Sequence, residues 1–331
     1  MALIVFNDNG IYCPRADVYI DPWKAVEKAL ITHGHADHAR YGHTVYLTHK
    51  DAAPAIQHRI PKAFIQTVEY GEVLVENGVQ FSFHPAGHIP GSSQIRVEYK
   101  GEVWVISGDY KIEEDGISQA FEAVRCHHFI TESTFGMPIY HWPKPSIVHA
   151  EIDQWWRDNR ENGITSVLCS YSLGKAQRLL HHLNSDIGPI FTAPTTEELN
   201  RVLRQQGIRL PETTPIQSVR DLKELKGAII MCPSSFLTEE WQQKLGPIST
   251  AFASGWMGVR GKGRMASYDR GFILSDHADW EGLNWAVRQT EAENIYVTHG
   301  FKKTLARWLR EKGLNAHTVD TLYEGAGEKE D

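Results

Sequence analysis

The stretch that most constrains this 331-residue chain is Thr32-His33-Gly34-His35-Ala36-Asp37-His38, which follows the apolar run Ala29-Leu30-Ile31. Three imidazoles and a carboxylate fall within six positions. A loop that leaves a strand can turn the His33/His35 pair and the Asp37/His38 pair toward a common centre. Neutral imidazole and carboxylate are the ligands that borderline divalent metals such as zinc prefer. The stretch therefore predicts a metal site at the end of a strand.

Similar arrangements recur along the chain. Seven apolar stretches that we predict to be strands are each followed, directly or after a short turn, by an acidic residue or a histidine. These residues are Asp21, His33, His88, Asp109, Glu132, His277 and His299. Ligands gathered at one edge of a sheet are typical of an active site held by a rigid scaffold.

Length and composition indicate an ordinary globular protein of about two domains, with 41% apolar and 23% charged residues. The net charge of −7 argues against nonspecific coating of nucleic acid by a broad basic face, although a cleft can still be locally positive. No apolar run reaches the roughly 18 residues of a membrane span, and the N-terminus lacks the pattern of a signal peptide. We expect a cytoplasmic protein with four reduced cysteines and no membrane partner.

The predicted secondary structure changes near residue 138. Before it, short strands and turn signals dominate; after it, helices and strands alternate, which favours a parallel sheet. The acidic and histidine residues at strand ends resume only at His277 and His299. We therefore predict one discontinuous domain, residues 1–137 and 268–331, interrupted by an inserted domain at residues 138–267.

The order of the motifs resembles a known family. The His33–His38 stretch, with Asp21 before it and His88 and Asp109 after it, resembles the metallo-β-lactamase superfamily. Three later phrases resemble the additional motifs of the β-CASP nucleases, which cleave phosphodiesters in DNA or RNA: Thr131-Glu132-Ser133-Thr134-Phe135-Gly136, Ser275-Asp276-His277-Ala278-Asp279 and Val297-Thr298-His299-Gly300. The resemblance covers nearly the whole chain. It implies an α/β fold, the αββα metallo-β-lactamase sandwich, with an inserted α/β β-CASP domain.

Two phrases narrow the resemblance. Tyr19-Ile20-Asp21-Pro22-Trp23 and Ser107-Gly108-Asp109-Tyr110-Lys111 resemble the bacterial ligase-associated DNA exonucleases. This implies a DNA exonuclease of a DNA repair pathway (a DNA damage response) that acts alongside an ATP-dependent DNA ligase. The main alternative is an RNA nuclease or RNA 3′-end processing enzyme, because the eukaryotic DNA-repair branch tends to carry an aliphatic residue where this chain has His299. A catalytically inactive nucleic-acid-binding partner and a small-molecule hydrolase fit the intact motifs less well.

The resemblance also implies roles for individual residues. His33, His35 and His88 hold one divalent metal ion, Asp37, His38 and His299 hold a second, and Asp109 bridges the two. Zinc is the expected metal and manganese the alternative. The implied catalytic residues are Asp37 together with His277, the general acid, and Glu132, which steers it. Asp21 is expected to orient an imidazole.

Two stretches are candidates for binding the substrate backbone. Strand Val167–Cys169 leads into a predicted helix start that carries Ser172 and Lys175, and such starts often bind phosphate. Ser254-Gly255, followed by a basic loop that contains Arg260, is the second candidate. For both stretches, the alternative is a purely structural role as a helix cap or a solvated loop.

Overall fold

The computed structural model of the protein describes residues 2–259 and 267–322. These residues divide into two compact units. The first unit comprises residues 2–138 and 277–322, and the second comprises residues 139–259 and 267–276. Each unit has hydrophobic clusters of its own.

The first unit holds two sheets and three α-helices among the described residues. Its strands are β1 (Val5–Asn7), β2 (Gly10–Cys13), β3 (Val18–Ile20), β4 (Lys28–Ile31), β5 (Val45–His49), β6 (Ile65–Val68), β7 (Val73–Glu76), β8 (Val79–Pro85), β9 (Ser93–Tyr99), β10 (Glu102–Ile106), β11 (His128–Thr131), β18 (Asn294–Val297) and β19 (Asn315–Thr318). Its helices are α1 (Ala53–Arg59), α6 (Trp280–Gln289) and α7 (Lys302–Glu311). One sheet has the order β1-β2-β3-β4-β5-β6 and the other has the order β19-β18-β11-β10-β9-β8-β7.

Side chains alternate across these strands and define the layers. Leu30 points into the cluster shared by the two sheets, whereas Ala29 and Ile31 point to the outer cluster that α1 covers. On β10, Trp104 faces inward while Val105 faces the cluster that contains α6 and α7. Because successive strand side chains point to opposite faces, these assignments place both sheets face to face, with helices outside. The first unit is thus an αββα sandwich, and the α/β fold predicted from the sequence is confirmed.

The second unit is built on a parallel six-stranded sheet of order β14-β13-β15-β12-β16-β17. Its strands are β12 (Thr165–Cys169), β13 (Ile190–Thr192), β14 (Thr214–Pro215), β15 (Ile229–Cys232), β16 (Ile248–Ala253) and β17 (Arg270–Phe272). Its helices are α2 (Pro145–Glu161), α3 (Lys175–His182), α4 (Pro194–Gln205) and α5 (Glu239–Leu245). On β12, Leu168 joins the cluster with α2 and α3, whereas Val167 joins the cluster on the opposite face with α5.

The end of the second unit differs from the sequence expectation. The strand predicted to lead to His277 stops at Phe272; within the described residues, β17 pairs with β16 through Arg270, Gly271 and Phe272. Residues 268–276 accordingly group with the parallel sheet, although the predicted domain boundary places them in the other domain. Among the described residues, no helix has both the length and the apolarity of a membrane span.

Candidate metal centre

Five of the residues that the sequence places at strand ends converge in the first unit. β3, β4, β8, β10 and β18 end just before Asp21, His33, His88, Asp109 and His299. The chain after β4 then supplies three more polar side chains from one short loop, namely His35, Asp37 and His38. We refer to His33, His35, Asp37, His38, His88, Asp109 and His299 as the His/Asp cluster.

Three imidazoles of the cluster surround one oxygen of Asp109. His33 Nε2 and His88 Nε2 lie 3.2 and 3.1 Å from His35 Nδ1. The same two Nε2 atoms lie 3.7 and 3.9 Å from Asp109 Oδ2. The candidate ligand atoms of these four residues all lie within 4.8 Å of one another. Ligands around a tetrahedral zinc ion are about 3.3 Å apart, so these separations suit a metal at their centre.

The other oxygen of Asp109 faces a second group. His299 Nε2 lies 3.3 Å and His38 Nε2 lies 3.6 Å from Asp109 Oδ1. His38 Nε2 is also 3.7 Å from Asp37 Oδ2. Asp109 is only 5% exposed, and no donor among the described residues meets Oδ1 with hydrogen-bond geometry. A buried carboxylate oxygen that faces several imidazoles suits a cation, and the two oxygens of Asp109 could each face one ion.

The electrostatics of the cluster are those of a cation site. Burial and the neighbouring imidazole of His38 hold the pKa of His33 well below its usual value, which keeps this imidazole neutral. Burial also acts on His38, but the carboxylates of Asp37, Asp109 and Asp21 outweigh it and raise the pKa of His38 to about 10. Burial opposes ionisation of Asp109, yet the imidazoles of His38 and His299 hold the pKa of Asp109 well below its usual value. Positive charge is therefore favoured at the centre.

Asp21 contacts the His/Asp cluster through a hydrogen bond with His38. Its Oδ2 accepts from His38 Nδ1 at 2.7 Å, so the Nε2 atom of His38 is the one directed at Asp109. Asp21 is 1% exposed and adopts a backbone φ of +41°, which non-glycine residues seldom hold. The family resemblance implies this orienting role for Asp21, and the hydrogen bond with His38 is the contact that such a role needs.

Glu132 and His277 form a second arrangement in the first unit. His277 Nδ1 lies 3.0 Å from each oxygen of Glu132, which is 1% exposed. Oε1 also accepts the backbone N–H of Tyr110 at 2.8 Å. Tyr110 directly follows Asp109 in the chain, so one carboxylate fixes both the His277 ring and the backbone beside the proposed bridge.

Two residues that sequence analysis did not single out contact the cluster. Thr134 Oγ1 lies 3.2 Å from His299 Nε2, and Thr32 Oγ1 lies 3.0 Å from His33 Nδ1. Each is a threonine within two positions of a motif residue, which is the only signal the sequence offers. Next to His299, Gly300 has φ +72°, and a Cβ there would collide with the Ser133 carbonyl. Only glycine fits that turn.

The described candidate residues for substrate binding lie in the second unit, and most of them are buried. Lys175 is 2% exposed, and its Nζ lies 2.9 Å from Asp276 Oδ1. Ser254 is 1% exposed, and its Oγ accepts the Trp256 N–H. Gly255 is buried and Ser172 is partly exposed. A phosphate contact by Lys175 would require this buried pair to break, and the phosphate contact stays a prediction; Arg260 lies outside the described residues.

Comparison with known proteins agrees with this geometry. No family model matches the chain. It is 29% identical over 317 residues to a probable DNA ligase of Opitutus terrae, a match that covers 94% of this chain and 30% of that protein. It is 24% identical to an RNase J-like protein of Methanocaldococcus jannaschii, over 50% of this chain and 45% of that protein.

A shorter match concerns a fungal protein. The chain is 30% identical over 125 residues to the endoribonuclease YSH1 of Yarrowia lipolytica, which is 35% of this chain and 14% of that protein. The chain therefore spans less than half the length of each of these relatives.

One solved structure shares the fold. A protein of unknown function from Enterococcus faecalis V583 superposes with a TM-score of 0.59 at 12% identity, over 90% of this chain and 79% of that one. Together, the ordered motifs, the αββα sandwich and these relatives support the resemblance to the β-CASP nucleases of the metallo-β-lactamase superfamily.

Proposed function

We propose that the protein is a two-metal phosphodiesterase that hydrolyses nucleic acid, with DNA as the favoured substrate. The observation that carries the proposal is Asp109, whose two oxygens face two separate groups of candidate ligands. Relatives named RNase J-like protein and endoribonuclease support nucleic acid as the substrate class.

The proposed ligand sets follow the two oxygens of Asp109. His33, His35 and His88 would hold one ion on the Oδ2 side. Asp37, His38 and His299 would hold a second ion on the Oδ1 side. Two divalent cations, zinc by the imidazole-rich donor set and manganese as the alternative, would supply Lewis-acid stabilisation of the charge that develops on the attacked phosphate.

His277 is the proposed general acid. Its Nδ1–H donates to Glu132, which fixes the ring so that Nε2 carries the proton given to the departing oxygen. Glu132 itself is fixed by the Tyr110 N–H. In this proposal Glu132 acts by holding the ring in place, in the manner of a carboxylate that orients a catalytic histidine.

DNA is favoured over RNA by the extent of the matches. The relative named a probable DNA ligase matches 94% of this chain, whereas the relatives named after ribonucleases match 50% and 35%. That relative extends well beyond the matched region, which suggests that a segment like this chain works beside a ligase. We propose that the protein is an exonuclease that prepares DNA ends for such a ligase in DNA repair.

The second candidate is an RNA nuclease. It is favoured by the names of the ribonuclease relatives. It is also favoured by the resemblance of the His299 motif to that of RNA-processing β-CASP enzymes, which carry histidine there. Both candidates use the same metal centre and the same general acid, so they differ only in the substrate that is cleaved.

Matched substrates separate the two candidates. Metal-loaded protein is incubated with end-labelled single-stranded DNA and RNA of one sequence, with and without a 5′-phosphate, and the product ladder is followed. A shortening ladder on DNA is the expected result, and chelation should abolish it. Cleaved RNA beside intact DNA would replace the first candidate by the second. Inert substrates together with stoichiometric metal binding would indicate a binding protein without catalysis.

A further inference from the structure

We infer that Thr32 is a positioning residue. Its hydroxyl links Asp21 to His33 through two hydrogen bonds, a link that we call the relay, and so sets which ring nitrogen of His33 faces the metal. The inference rests on the proposed metal centre. Thr32 is fully buried and lies between β4 and His33. Its Oγ1 lies 2.5 Å from Asp21 Oδ2 and 3.0 Å from His33 Nδ1. Its backbone N–H donates to Asp21 Oδ1 at 2.7 Å.

The number of hydrogen atoms available around Thr32 fixes the direction of both hydrogen bonds of its hydroxyl group. A carboxylate only accepts hydrogen bonds, so the single hydroxyl hydrogen of Thr32 points to Asp21. The oxygen of Thr32 then accepts from His33, which requires the proton of the neutral imidazole to lie on Nδ1. His33 Nε2 is left with its lone pair, and this is the atom that lies 3.2 Å from His35 Nδ1 and 3.7 Å from Asp109 Oδ2.

Asp21 thereby orients two imidazoles by two routes. It accepts from His38 Nδ1 directly at 2.7 Å, and it reaches His33 through the hydroxyl of Thr32. The two histidines belong to opposite sides of Asp109, because His33 faces Oδ2 and His38 faces Oδ1. Removal of the hydroxyl should therefore weaken one metal site and spare the other, which a general packing defect would not do.

The surroundings of Thr32 make a clean test feasible. Gly108 packs so closely on it that a Cβ at Gly108 would lie 2.6 Å from Thr32 Oγ1 and 2.7 Å from its Cβ. The shape at position 32 therefore has to be kept. Thr32→Val preserves the branched shape and removes the hydroxyl, whereas Thr32→Ser keeps the hydroxyl and removes the methyl group.

The test measures metal affinity directly. Metal-free wild type, Thr32→Val and Thr32→Ser are titrated with Zn²⁺ against a chromophoric chelator, with circular dichroism and thermal unfolding as checks of the fold. We expect Thr32→Val to bind one of two zinc ions about 10- to 100-fold more weakly, the cost usual for losing the partner of a metal-bound histidine. The other ion should bind within about threefold of wild type, as should both ions in Thr32→Ser.

The outcomes separate the relay from the proposed function. An equal loss of zinc affinity in Thr32→Val and Thr32→Ser would show that Thr32 acts by packing, which overturns the relay. Unchanged zinc affinity in Thr32→Val would overturn it as well. Both results leave the two-metal centre standing. A wild-type protein that binds no zinc or manganese would overturn the metal centre and the relay together.

Discussion

Two loops of this protein that each follow a strand are both candidates for ligand binding, and they differ in what their polar atoms do. The loop after β4 carries the His33–His38 part of the His/Asp cluster, and the loop after β12, residues 170–174, leads into Lys175 at the start of α3. In the first loop, the buried imidazoles of His33 and His38 point at the two oxygens of Asp109, and Oδ1 is one that no donor among the described residues reaches with hydrogen-bond geometry. In the second, polar groups contact one another.

The contacts of the second loop are specific. Gln177 Oε1 accepts the Gly174 N–H at 2.8 Å, and its amide nitrogen donates to the Ser172 carbonyl and to Asn200 Oδ1. Lys175 is paired with Asp276. The polar groups around Gln177 satisfy one another and need no ligand, whereas the convergent imidazoles and carboxylates of the His/Asp cluster suit one. The difference teaches that satisfaction of buried atoms, more than residue type, separates a site from a scaffold.

The largest expected effect comes from removing the charge on the proposed bridge. In Asp109→Asn the amide nitrogen cannot serve as a ligand, so one of the two ions loses a bond. We expect kcat/KM on single-stranded DNA to fall about 10,000-fold, which is about 5.5 kcal/mol of transition-state stabilisation. Metal content should fall below two ions per chain while circular dichroism stays unchanged.

Asp115→Asn is the matched control for this variant. Asp115 is also 5% exposed, but its carboxylate accepts the N–H groups of Ile117 and Ser118 and caps a turn. Its activity should stay within about threefold of wild type, because the loss of a turn hydrogen bond acts on stability. Activity of Asp109→Asn within tenfold of wild type would contradict the bridging role.

Substitutions in and just after the second loop should change the free energy of unfolding. Lys175→Met removes a cation that pairs with the buried Asp276 carboxylate, which should lower the free energy of unfolding by about 3–5 kcal/mol in urea denaturation. Lys244→Met is the control, since Lys244 pairs with Glu240 on an exposed face of α5 and should cost less than about 1 kcal/mol. An equal loss of unfolding free energy in the two variants would mean that the buried Lys175–Asp276 pair stabilises the fold no more than an exposed pair does.

The convergence of the His33–His38 stretch with other strand ends could be predicted from the sequence because the information is local. Each strand end and its polar residue are neighbours in the chain, and the edge of a sheet brings them together. The pairing of Lys175 with Asp276, which lies about 100 residues later in the chain, is beyond the reach of a local pattern. The strand before His277 was predicted to run on towards the histidine, whereas β17 ends at Phe272.

The third prediction concerns the general acid. His277→Ala should slow cleavage of a nucleoside phosphodiester about 100-fold, since its departing oxygen needs a proton. The same variant should slow release of p-nitrophenolate from a p-nitrophenyl phosphodiester by less than about fivefold, because that leaving group departs as the anion. Steady-state rates on both substrates give the ratio. An equal loss on both would assign His277 to positioning of the metal centre instead.

The smallest expected effect returns to the second loop. Gln177→Ala removes an acceptor from the Gly174 N–H and leaves that buried donor unpaired, which should lower the free energy of unfolding by about 1–3 kcal/mol. Gln242→Ala is the control: its exposed side chain donates only to the Leu237 carbonyl among the described contacts, so the change should stay within about 0.5 kcal/mol. Zinc stoichiometry should be unchanged in both variants, because the network lies wholly in the second unit. Loss of zinc in Gln177→Ala at full stability would show that the second loop contributes to the metal centre after all.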